Sequence, residues 1–126
     1  MDNTAPLMVS PQHRMLIEDW RAAYFCGLPE VFVPAKHLVN GTTVTQVEGG
    51  TVDYMHLLFE RHEVIYAFGQ PSESYFPGHA LDVEDRAAQA ELAVLFPRLK
   101  HQVCDAMQTA HPVIKKREAH MIARCA

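Results

Sequence analysis

Residues 51–69, TVDYMHLLFERHEVIYAFG, decide how this chain is read. Val52, Tyr54, His56 and Leu58 alternate with Met55, Leu57 and Phe59. Apolar side chains on both sides of a period-2 run predict a strand buried on both faces. Glu60 and Arg61 break the run, and His62–Gly69 predicts a second strand. Working outward, the same grammar of short apolar runs and turns continues upstream. HRMLIEDW (13–20) is followed by RAAYFCGLPE (21–30), and VFVPAKHLV (31–39) ends at Asn40-Gly41. TTVTQV (42–47) ends at Glu48-Gly49-Gly50. Asn-Gly favours positive φ and marks a tight turn. Short runs at this spacing indicate an all-β meander or sandwich-like body.

Downstream the period changes. SESYFPG (72–78) reads as a Ser/Pro/Gly turn that ends the β region. DVEDRAAQAELAVLF (82–96) is rich in strong helix formers, with Asp82 as a cap and Ala88, Leu92, Leu95 and Phe96 on one stripe. Leu92, Leu95 and Phe96 are therefore expected to face the core. KKREAHMIAR (115–124) predicts a terminal helix. The expected fold is mainly β over residues 7–78, followed by a C-terminal helical extension over 79–126 packed on it.

The totals narrow the function classes. A chain of 126 residues suits one domain. A net charge of −4 with no basic block argues against nucleic acid as a partner. No apolar run approaches the roughly 20 residues that span a bilayer, and MDNTAPLMVS lacks the regions of a secretory signal, so a cytoplasmic location is the default expectation. Cys26, Cys104 and Cys125 are far apart, which suits reduced thiols rather than a disulfide framework or zinc site. The 8 histidines lack ligand spacing, His56 and His62 being six apart, so no metal and no cofactor is expected. No G-x-S-x-G elbow is present. Read alone, Ser10-Pro11-Gln12-His13 fits local turn chemistry or a Ser/His pair at a reacting bond.

VSPQHRMLI, VFVPAKHLV and VDYMHLLFERHEVIYAFGQPSESYFPG, taken together and in this order, resemble the C-terminal portion of a bacterial Hint (hedgehog/intein) autoprocessing domain. The resemblance covers residues 7 to about 78. It implies an incomplete Hint-like β fold and peptide-bond rearrangement. In that family an N-terminal Cys or Ser attacks the carbonyl before it, turning an amide into a thioester or ester. A Thr/Ser-x-x-His block serves that step, and its roles fall by position on Ser10 and His13. A second family histidine matches His62. An amide nitrogen leaves poorly until protonated, and a positioned imidazole supplies that proton near neutral pH.

Two departures qualify the resemblance. The family nucleophile lies well upstream of its Thr/Ser-x-x-His block, whereas here Met1-Asp2-Asn3-Thr4 stands only a few residues before Ser10. Ser72-Glu73-Ser74 stands where inteins end in His-Asn, so asparagine cyclisation is not offered. The implied module lacks its nucleophile, is silent alone, and takes a Cys-bearing N-terminal half as partner. Missing strands would also leave sheet edges open to self-association. The alternative is a non-catalytic β-rich binding or structural module.

Overall fold

In a computed structural model, which describes residues 3–76, 90–91, 94–95 and 108–125, the chain builds one antiparallel sheet. Strand β1 is Arg14–Ile17 and helix α1 is Trp20–Cys26. Strand β2 is Val31–Pro34, followed by a 3-10 turn at Ala35–His37. Strands β3 (Val64–Ala67) and β4 (Gln70–Glu73) form a hairpin, and helix α2 is Lys116–Arg124. The sheet order is β2-β1-β4-β3. The mainly β architecture with a helical C-terminus is as expected from the sequence.

Alternation divides the sheet into two buried faces. Met15 and Ile17 lie on the same side as their neighbours Val33 and Val31. With Ala22, Leu38, Ala119 and Ile122 they form an aliphatic core. Leu16 and Phe32 oppose each other on the second face, where Phe32 is fully buried. Phe32 packs there against the rings of His62 and His111 at 5.2 and 5.5 Å. The outer edge of β2 is not bare. Phe32 N–H donates to Pro112 O, Ile114 N–H donates to Phe32 O, and Val113 bridges in parallel.

Helix α2 is integral to this core. Ala119, Ile122 and Ala123 are buried at i, i+3 and i+4, against α1 and the 3-10 turn. Ile122 is completely buried. Ile122→Ala is expected to lower the unfolding free energy by about 2–5 kcal/mol through lost burial and a residual cavity. Urea unfolding measures this, and a loss below about 1 kcal/mol would contradict a core role for α2.

Five expectations need correction. Residues 52–59 form no strand, because they have no ladder partner; Met55 is 94% and Leu57 57% exposed. TTVTQV is likewise a loop, organised by the Asn40 side-chain oxygen, which accepts from the Thr42, Thr43 and Val44 amides. RAAYFC is not part of the strand set but α1, capped by the Asp19 carboxylate at Arg21 N–H and closed by Gly27 at φ 67°. SESYFPG does not begin with a turn: Ser72 and Glu73 lie in β4, and the reversal occurs at Phe68-Gly69, both at positive φ. Leu95 is helical but 61% exposed, so it does not face the core formed by the described residues. Leu92 and Phe96 lie outside the described residues.

Candidate active site

The Ser10–His13 block is a β-turn. His13 N–H donates to Ser10 O at 3.1 Å, with Pro11 and Gln12 at the corner. The turn is tied to the end of β2: Ala35 N–H donates to His13 O and Lys36 N–H to Pro11 O. These bonds set His13 at the mouth of β1. No hydrogen bond joins the Ser10 hydroxyl to the His13 ring. The two side chains share a turn, and they do not form a nucleophile–base pair.

One residue on, the chain makes an unusual exchange. The β1–β4 ladder is registered at a single pair, Met15 opposite Ser72. Pro71 has no amide proton to extend it on one side. On the other, Arg14 N–H is given to the Glu73 carboxylate at 2.9 Å. Arg14 Nη1 reaches the second oxygen of Glu73 at 3.4 Å, and its guanidinium sits over the Phe76 ring at 5.5 Å. His62 Nε2 meets that same oxygen at 3.1 Å. Glu73 is therefore the hub where the two histidine-bearing blocks meet, and it is only 4% exposed.

The tautomer of His62 follows from its partners. Its Nδ1 accepts the Ala110 amide proton at 3.0 Å. The ring proton consequently sits on Nε2 and donates to Glu73. Both ring nitrogens are engaged, and the side chain is fully buried between Phe32 and Phe76. Such a ring can hold a carboxylate in place but has no free nitrogen with which to exchange a proton.

His13 differs. It is half-buried, and its ring is 6.5 Å from that of His56, which in turn packs on Tyr75 at 5.3 Å. Burial pushes the His13 imidazole below its ordinary pKa of 6.5; the Glu73 charge opposes this and His56 adds to it. An imidazole so placed is neutral at pH 7 and, once protonated, a stronger acid than usual. The sequence singles out His13 and His62, but nothing in it signals the pairing of His62 and Arg14 with Glu73 or the packing of His13 near His56.

Cys26 closes α1 and Cys125 caps the end of α2, both apart from this cluster. Cys26 packs on the aliphatic core, where burial and Glu118 push its thiol pKa up. Cys104 lies outside the described residues. Among the described residues no three His, Cys, Asp or Glu side chains converge as a metal site, and no helix is long and apolar enough to cross a membrane.

A family model described as Hint domain matches residues 1–79. The chain belongs to the Hint family. No curated protein and no solved structure matches it. The Hint region contains Ser10, His13, Arg14, His62 and Glu73. Ala110, which fixes the His62 tautomer, and α2, which completes the core, lie beyond it.

The lowered His13 pKa gives the Hint region a pH signature. Below the ordinary imidazole value the unfolded chain binds a proton that the folded chain still refuses. Stability from this residue is present above pH 6.5 and lost as pH falls toward the folded value. His37 is shifted in the same direction, chiefly by burial. The urea midpoint is expected to fall between pH 7.5 and 5.5, and His13→Gln should reduce that fall. An equal fall in wild type and variant would contradict the assigned environment.

Proposed function

We propose that this chain is the acid–base portion of a Hint autoprocessing module, completed by a Cys-bearing N-terminal Hint half and silent without it. The observation that supports this most is the convergence of the His13 block and the His62 block on the buried Glu73 carboxylate. A network of buried charge costs desolvation and is a weak source of net stability. Its value lies in fixing His13 against the peptide bond to be rearranged.

In the proposed step, neutral His13 takes the proton of the incoming thiol. The sulfur attacks the carbonyl carbon, and the imidazolium passes the proton to the amide nitrogen. The C–N bond breaks, leaving a thioester and a free amine. Ser10 orients the strained bond from the same turn. His62 holds Glu73, and Glu73 holds the Arg14 amide next to His13. The β3 edge, with Tyr66 and Phe68 exposed, and the exposed 52–59 run offer surface to the completing half or to a second copy.

The test joins a Cys-bearing Hint N-terminal portion to this chain, incubates the product with a thiol, and follows intact mass. Cleavage at the bond preceding that cysteine is expected, and its Cys→Ala variant should abolish it. The chain by itself should show no thiol-dependent mass loss. A folded fusion that does not cleave would overturn the reading in favour of a non-catalytic module, which the engaged nitrogens of His62 and the raised Cys26 thiol would then suit.

A further inference from the structure

We infer that the cleft between the Val39–Thr42 loop and helix α2 binds a small organic anion, its charged head on His120 and Arg124, with Lys116 adding to the positive field along the same stripe. The cleft holds about 340 Å³ and is lined by Val39, Asn40, Thr42, His120, Ala123 and Arg124. It lies at α2, away from the Glu73 cluster, and is independent of the proposed autoprocessing role.

Three observations carry the inference. Lys116, His120 and Arg124 recur at i, i+4 and i+8, so they share one stripe of α2. The 3-10 turn brings a second basic pair beside that stripe, with the His37 and His120 rings 5.8 Å apart and Lys36 adjacent. Among the described residues no carboxylate forms an ion pair with Lys36, Lys116 or Arg124. The result is a concentration of positive charge on a chain whose net charge is −4. Its potential is felt locally: after burial, it is Lys36, His120 and Lys116 that push the His37 pKa down.

The cleft walls specify more than charge. Asn40 Oδ1 accepts three successive amides and Thr42 Oγ1, and Asn40 Nδ2 donates to Thr43 Oγ1, so the polar rim is held in one shape. Val39 and Ala123 add an apolar wall. Its volume sits in the range of small-molecule sites, about 300–1,000 Å³. Arg and Lys donors favour phosphate and carboxylate oxygens. A phosphate monoester with a compact apolar body fits both the charge and the wall better than free phosphate does.

The test titrates the full-length protein with phenyl phosphate and, separately, inorganic phosphate, following backbone amide shifts by NMR. Saturable shifts at residues 39–42 and 120–124 are expected with phenyl phosphate, and binding at least about tenfold weaker with inorganic phosphate. Lys116→Gln combined with Arg124→Gln should weaken phenyl phosphate binding at least about tenfold, whereas Arg117→Gln should leave it within about twofold. Shifts that fail to saturate, that spread over the basic surface, or that weaken equally in Arg117→Gln would overturn the site. Equal affinity for the two probes would overturn the organic-anion assignment.

Discussion

Glu73→Ala is expected to lower the unfolding free energy by about 3–5 kcal/mol, the cost of breaking a buried ion pair from one side. The carboxylate receives the Arg14 amide, the Arg14 guanidinium and His62 Nε2–H. Removing it leaves those donors in place, with the Arg14 and His62 side chains only 11% and 0% exposed. A buried donor that loses this acceptor bears a desolvation penalty. Glu73→Gln should also destabilise, because its amide nitrogen must confront at least one donor where an oxygen now accepts. Urea unfolding followed by circular dichroism gives the comparison, with an unchanged m-value indicating that the folded state is otherwise retained. A Glu73→Ala loss below about 1 kcal/mol would mean that the hub is solvated and that the two blocks are not held by it.

In the completed domain, His13→Ala is expected to slow amide activation by roughly 10²–10⁴-fold, the usual contribution of a positioned proton-transfer group. Ser10→Ala should cost less, since a hydroxyl on the same turn contributes orientation or one hydrogen bond. His62→Gln should lower stability and slow the reaction less than His13→Ala, because its nitrogens serve Glu73 and the Ala110 amide. His37→Ala should leave the rate near wild type; its ring packs on His120 of α2. Thiol-dependent cleavage followed by intact mass ranks all four variants. A His62→Gln defect larger than that of His13→Ala would exchange the roles proposed for the two histidines.

The parts of the fold visible in the sequence are those where local pattern and tertiary contact agree. β1, β2 and β3 are β-branched or aliphatic runs, and all find ladders. The terminal helix shows its apolar positions at 119, 122 and 123. Residues 52–59 alternate equally well, yet alternation records which way side chains would face and not whether a neighbouring strand exists. Their one backbone tie among the described residues is Tyr75 N–H to Leu57 O. Helix α1 could have been read from Asp19 as N-cap and Gly27 as C-cap, since both sit at the helix boundaries. β4 was obscured by Pro71 and two serines, which locally signal a turn.

Site legibility divides on the same principle. His13 and His62 stand out as residue types within the blocks that carry the family resemblance. Glu73 does not, because a carboxylate between two serines reads as solvated surface. Its burial depends on Arg14, 59 residues earlier in the chain, and on the Ala110 amide that fixes the His62 tautomer 48 residues later. The charge pair Arg14–Glu73 was present within the very blocks that carried the resemblance, but nothing in their spacing tells that the two ends of the Hint region meet.

The most direct measurement of the central claim is the pH–rate profile of thiol-dependent cleavage in the completed domain, for wild type and His13→Ala side by side. If neutral His13 collects the thiol proton and returns it to the leaving nitrogen, the wild-type profile bends at a pKa below the ordinary imidazole value of 6.5, the direction its burial imposes. His13→Ala should lose that bend together with the rate. A His13→Ala domain that cleaves at the wild-type rate with the same bend would contradict the account.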